Sequence, residues 1–219
     1  MSTNVVKRNG SVESLNLEKI HKMVEMACEG IGGVSESAIE MNANIQFFDG
    51  IKTNDIQEIL IKSANDLISL DAPNYQFVAA RLLLFSLRKA VYDNHPDSHP
   101  HLYQHIKDCI DHGLYDPALL DAYSEEEWSE INNMVDYDRD YLFTYAGIRQ
   151  VVDKYLVQDR SSGEVYETPQ QMYIMIAATL FQRYPLDSRL TYVKKYYDAI
   201  SRHKINIPTP IMGGVRTPL

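Results

Sequence analysis

Val5-Val-Lys-Arg-Asn-Gly-Ser-Val-Glu-Ser-Leu-Asn16 decides how the first half of this chain folds. Two short extended runs flank Asn9-Gly10, a dipeptide favoured where both positions of a hairpin turn need φ > 0. Asn16 stands where a helix N-cap belongs, ahead of Leu17, Ile20, Met23 or Val24, and Ala27 at helical spacing. Gly30, Gly32 and Gly33 end that helix. The pattern then predicts a second helix from Ser35 to Phe47. A third has Thr53 as its cap and continues through Leu70, and a fourth follows Pro73 to Tyr92. A short hairpin packed on four helices makes a domain of roughly 90 residues, within the usual size range. The polar, proline-punctuated stretch Asp93 to Pro100 then reads as a linker, giving domains 1–93 and 101–219.

The second part is also mainly helical, so the fold class is mainly α with short β-hairpins. Ser124-Glu-Glu-Glu127 is a capping box, and Thr168-Pro169 opens a helix through Gln182. Tyr155 to Asp159 and Gly163 to Glu167 flank Arg160-Ser-Ser and read as another hairpin. A helix around Ser188 to Ser201 follows, and the chain then extends from Ile205 to Met212. The last segment, Ile207-Pro-Thr-Pro-Ile-Met-Gly-Gly-Val-Arg-Thr-Pro-Leu219, holds Thr209 between Pro208 and Pro210. Two prolines fix φ and remove N–H donors, so the segment is expected to be extended and not helical.

Composition narrows the function classes. An apolar share of 45% supports a real core. The longest apolar runs, Ile174 to Phe181 and Leu82 to Phe85, are far short of a membrane span. Met1 to Asn9 has no apolar signal core, and Cys28 and Cys109 suit a reducing cytosol, so a cytoplasmic protein without a membrane partner is expected. A net charge of −9 argues against nucleic acid as a partner. Between Asp108 and Asp140 there are eleven carboxylates and one basic residue, Arg139. That stretch reads as a solvated acidic face or as a docking surface for a basic partner. His101, His105 and Cys109 share one helical face but span about 12 Å, too far for one ion, so no metal site is expected and Cys109 reads as a core residue. No Walker-type loop, zinc-type cysteine pair or Ser/His/Asp grouping is present.

One constellation suits an anion. The hairpin places Lys7 and Arg8 beside the helix start at Asn16 to Lys19, where free backbone N–H groups and the helix dipole favour negative charge. Lys7, Lys19 and Lys89 would add point charges for phosphates, and Thr53 opens another helix.

These residues together resemble the ATP-cone, the nucleotide-sensing domain at the front of many ribonucleotide reductases. The likeness rests on Val6 to Gly10, Glu13, Leu17 to Ile20, Asp49-Gly50, Thr53 to Ile56, Tyr75-Gln76, Ala79 to Arg81 and Leu87 to Lys89. It implies that Lys7, the stretch Glu13, Ser14, Leu15, Asn16, Leu17, Glu18 and Lys19, with Thr53 and Lys89, contacts ATP or dATP, accompanied by Mg²⁺. Beyond the cone, Asp138 to Asp140, Phe143 to Tyr145, Lys154 to Leu156, Tyr166 to Gln170, Tyr196-Tyr197 and Pro208 to Met212 resemble the large (α) subunit of class I ribonucleoside-diphosphate reductases.

That second resemblance implies helices packing outside a ten-stranded catalytic barrel, with Thr209 touching a ribonucleoside diphosphate. In the family the radical comes from a metal-containing β subunit and the electrons from cysteine thiols. The first catalytic-pair cysteine is expected just beyond Leu219. No catalytic residue and no redox cofactor is therefore expected in this chain, and its partners would include the remaining C-terminal part of the subunit. Gln57 and Ser86 depart from the histidines of many dATP-responsive cones; Gln57 can hydrogen-bond a phosphate but cannot become cationic. The alternative, a stand-alone ATP-cone regulator, is disfavoured by the acidic charge and by the Asp138 to Met212 pattern. That pattern also disfavours the anaerobic glycyl-radical reductase.

Overall fold

The computed structural model describes residues 3–7, 9–44, 46–92 and 99–218. It divides into two compact units, residues 1–86 with 143–149 and residues 87–142 with 150–219. Most of the expected linker, residues 93–98, lies outside the described residues.

In the first unit β1 (Asn4–Val6) pairs antiparallel with β2 (Val12–Ser14), Val5 opposite Glu13 and Val6 opposite Val12. The hairpin is as expected, but its turn closes differently. The Gly10 N–H donates to the Lys7 carbonyl and the Lys7 N–H to the Ser11 carbonyl. Gly10, at φ 82°, therefore follows the turn and is not one of its two central residues. Sequence pattern missed a third strand, β3 (Ile51–Lys52), which runs parallel to β1 with Val6 opposite Lys52. Two residues are too few to show alternation. What holds them is the Asp49-Gly50 corner, where Asp49 Oδ1 accepts the Asn4 N–H at 2.7 Å and the Gly50 N–H donates to the Asn4 carbonyl.

Helix α1 (Leu17–Cys28) begins as expected, with Asn16 Oδ1 accepting the Lys19 N–H at 3.1 Å. Its buried stripe is Ile20, Val24, Ala27 and Cys28. Its far end is closed by Arg81, whose guanidinium donates to the Glu29 carbonyl at 2.6 Å, a cation placed against the orphan carbonyls. Helix α2 (Glu36–Asn44) is shorter than expected, giving way to tighter turns in which the Gln46 and Phe47 N–H groups reach back three residues. Helix α3 (Thr53–Asp66) also stops early, and Thr53 is its first residue, with Lys52 at the cap position. The cap moves because Lys52 is still extended as part of β3. Helix α4 spans Tyr75–Val91.

The second unit contains α5 (Leu102–Asp111), α6 (Ala118–Ala122), α7 (Glu125–Asn133), a 3₁₀ segment (Tyr137–Leu142) and α9 (Pro169–Phe181), with α8 (Tyr145–Lys154) entering it. The expected capping box of Ser124 with Glu127 is present, and Thr168 stands at the expected cap of α9, where its N–H also donates to Gln171 Oε1 at 2.8 Å. The short hairpin of β4 (Gln158–Asp159) and β5 (Glu164–Val165) also forms. Helix α9 is buried on every side from Pro169 to Thr179, so α10 (Arg189–Ser201) and the other elements pack around it.

Two carboxylates of this unit are buried against arginines. Asp140, 2% exposed, accepts from Arg88 at 3.2 Å and from Gln170 Nε2 at 2.9 Å, and the Tyr197 hydroxyl donates to Gln170 Oε1. Burial pushes the Asp140 carboxyl up to about 6 against the pull of Arg88. Glu167 and Arg216, both fully buried, form the second pair. The Tyr115 hydroxyl donates to Glu167 at 2.6 Å, and the Val157 N–H donates to it at 2.7 Å. Part of the acidic stretch is paired, Glu127, Asp136 and Asp140 with Arg189, Arg139 and Arg88, and of these carboxylates Asp140 is buried. Asp111, Asp121, Glu126 and Glu130 face solvent.

The expected extension from Ile205 to Met212 is corrected by α11 (Thr209–Gly214). Pro208 is extended and occupies the cap position, and Pro210 lies in the first turn, where the N–H groups have no helical partner anyway. The prolines begin this helix and do not prevent it.

Breaking the Glu167–Arg216 pair from one side leaves a buried charge uncompensated. Glu167→Gln should lower unfolding stability by about 3–5 kcal/mol in a denaturant titration. Asp111→Asn, on the surface, should stay within about 0.5 kcal/mol of the parent.

Candidate functional site

The hairpin and α1 bring together three of the residues expected to meet a nucleotide. Lys7 Nζ lies 2.9 Å from Glu13 Oε1, and Lys19 Nζ lies 4.0 Å from the same oxygen. Glu13 is thus a shared counter-ion, and the Lys7 hydrogen bond and charge hold its carboxyl below the usual range. Lys7 directly follows β1 and Thr53 directly follows β3, and these strands run parallel with Val6 opposite Lys52. Both residues therefore leave the same end of the sheet. Asn16 is engaged in capping α1. Ser14 is exposed and Leu15 half-buried, its N–H tied to the Thr3 carbonyl.

Beside this cluster, α1 and α2 enclose a pocket of about 270 Å³. Leu17 and Glu18 line it, together with residues that sequence reasoning did not select: Ile20, His21, Glu40, Ala43, Asn44 and Phe47. A signal for them existed. Glu40, Ala43, Asn44 and Phe47 recur at i, i+3, i+4 and i+7, one helical face turned toward the Leu17–His21 face. His21 Nδ1 and Glu40 Oε1 close the distance between the two helices at 2.7 Å.

The other expected residues are elsewhere. Lys89 is in the last turn of α4, within the second unit. Gln57 is buried in the first unit, its amide donating to Met23 Sδ at 3.4 Å. Thr209 lies in the second unit on a separate pocket of about 630 Å³, whose wall includes Lys154, Tyr155, Arg160, Pro210 and Thr217. The Tyr155 hydroxyl is 3.3 Å from Thr209 Oγ1. His105 is fully buried with its pKa lowered to about 4 by desolvation, 3.6 Å from Cys109 Sγ, so both behave as core groups. No group of three or more His, Cys, Asp or Glu able to hold a metal ion occurs among the described residues. Nor is any helix among them long and apolar enough to cross a membrane.

Two family models match separate stretches of the chain. Residues 3–90 match the ATP cone domain and residues 141–219 match the all-alpha domain of ribonucleotide reductase. The chain belongs to the ribonucleotide reductase family, as a cone followed by that helical domain. More particularly, it is the counterpart of the N-terminal part of ribonucleoside-diphosphate reductase α subunits. Over 214 residues, 98% of this chain, it is 52% identical to the alpha subunit of ribonucleoside-diphosphate reductase 1 of Escherichia coli. Over the same length it is 50% identical to the alpha subunit of Haemophilus influenzae. It is 44% identical over 218 residues to the alpha subunit of Enterobacteria phage T4. In each case it spans 28% of the relative's length.

The His21–Glu40 pair makes the pocket sensitive to pH. The Glu40 hydrogen bond and charge, with Glu25 and Glu36, raise the His21 pKa above its ordinary 6.5. A raised folded-state pKa adds stability that is complete below the unfolded value and is lost as pH rises through the folded value. An NMR titration of the His21 ring should show that raised pKa, and Glu40→Gln should return it toward 6.5.

Proposed function

We propose that this chain is the regulatory and substrate-entry portion of a ribonucleoside-diphosphate reductase large subunit, with residues 1–93 as its nucleotide-sensing domain and 101–219 as the helical region against the catalytic barrel. The observation that carries the sensing role is the Lys7–Glu13–Lys19 cluster set beside a pocket of about 270 Å³. The base of ATP or dATP enters between Leu17, Ile20 and Phe47, and its phosphates take Glu13's place on the two lysines. Thr53 adds a hydroxyl at the same sheet end, and Lys89 a further cation. Mg²⁺ would ride on the phosphates, since it keeps much of its water shell and needs only one or two carboxylates from a protein.

Catalysis in this proposal needs the remaining C-terminal part of the subunit and a metal-containing β subunit as radical source. Thr209 supplies a hydroxyl to the ribonucleoside diphosphate, and the reducing thiols belong to the rest of the subunit. The chain alone is inactive.

Calorimetry with ATP and Mg²⁺ should show saturable binding. A charge-assisted phosphate contact contributes about 1.5–3 kcal/mol, so Lys7→Ala and Lys89→Ala should each weaken binding about ten-fold or more. No heat from a folded protein would remove the nucleotide reading.

Regulation should differ from that of fully responsive cones. Gln57 keeps its amide on Met23 and cannot carry charge, and Ser86 is short. A ligand shifts an equilibrium only by its differential affinity for the two states. The loss of two polar contacts of about 1 kcal/mol each would remove most of a typical coupling of about 1–3 kcal/mol. Activity of the reconstituted enzyme should therefore hold near its ATP level as dATP rises. A steep fall, with a larger oligomer on gel filtration, would refute this.

A further inference from the structure

Tyr155 is held in place more firmly than the residue it touches. Its side chain is 8% exposed, while Thr209 is exposed on the pocket wall. Its N–H continues α8 by donating to the Val151 carbonyl at 2.9 Å, and its carbonyl accepts from Arg216 at 3.0 Å. The same guanidinium donates to the Met212 carbonyl at 2.7 Å, inside α11. Arg216 therefore clamps the backbone of Tyr155 and the helix that carries Thr209 to one buried charge. Between the two side chains themselves, the hydroxyls approach to 3.3 Å.

A threonine hydroxyl has one proton and two lone pairs, and unconstrained it rotates to suit its surroundings. When the phenol donates to Thr209 Oγ1, one lone pair is occupied and the threonine proton is left for an acceptor in the pocket. The chain of donors also polarises itself, strengthening the outer bond. We infer that Tyr155 is a positioning residue that aims the Thr209 hydroxyl at an oxygen of the bound ribonucleoside diphosphate. This rests on the reading of Thr209 as a substrate contact. Its acceptor is anionic or strongly polar, since the pocket wall includes the cations Lys154 and Arg160 and no carboxylate.

The test is a double-substitution cycle in the reductase assembled from this chain, the remaining part of the large subunit and the β subunit. Contacts made equally in ground and transition states alter KM and leave kcat. Tyr155→Phe keeps the ring and removes one neutral hydrogen bond, so KM for the ribonucleoside diphosphate should rise about five-fold with kcat nearly unchanged. Thr209→Ala should raise KM about ten-fold or more, and Thr209→Ser should restore most of it. Adding Tyr155→Phe to Thr209→Ala should change nothing further, because the phenol acts only through the threonine. A purely structural phenol would give additive losses and a lowered melting temperature, and either overturns the inference. An unaffected KM in Tyr155→Phe beside a raised one in Thr209→Ala sinks the positioning role alone. A normal KM in Thr209→Ala removes the substrate contact itself, and the inference with it.

Discussion

One buried ion pair, Glu167 with Arg216, ties together several segments of the second unit. Two full charges out of water are costly, and their attraction offsets that cost only if the remaining donors and lone pairs are also satisfied. Here they are. Glu167 takes the Tyr115 hydroxyl and the Val157 N–H, and Arg216 gives two further protons to the Tyr155 and Met212 carbonyls, so that each of its nitrogens has a partner. The pair therefore fixes the end of α8, the β4 side of the hairpin and α11 at once. An apolar replacement could pack as well, but it could not specify which carbonyls meet. The directionality of the guanidinium decides the register of these segments.

Much of the fold could be read from the chain because capping and turn chemistry are local. Asn16, Ser124 and Thr168 each satisfy orphan N–H groups within three residues, so a short window of sequence contains the whole interaction. What was missed needed partners far along the chain. β3 exists because Asp49 reaches Asn4, and no local pattern announces that. Pro208 and Pro210 were misread because a proline's cost depends on where the helix starts. In the first turn there is no hydrogen bond to lose.

The candidate site was legible in part for the same reason. Charged residues near a helix start point to an anion whatever the packing, and Lys7, Glu13 and Lys19 do meet. The pocket walls His21, Glu40, Asn44 and Phe47 have no distinctive chemistry singly. They become a site only when α2 lies against α1. Lys89 was selected as a cation for phosphates and Thr209 by family likeness, and their roles are carried by the proposals above and not by geometry shared with the cluster.

Glu13 gives the cluster a property that bare lysines would lack. Because the Glu13 carboxylate already offsets one of the two ammonium charges, an arriving anion would exchange one ion pair for another and gain only the difference between them. The smaller net gain would place half-occupancy at a higher anion concentration than two unpaired lysines would. Under the nucleotide-sensing proposal, such a site would report how much anion is present and would not capture it and hold it.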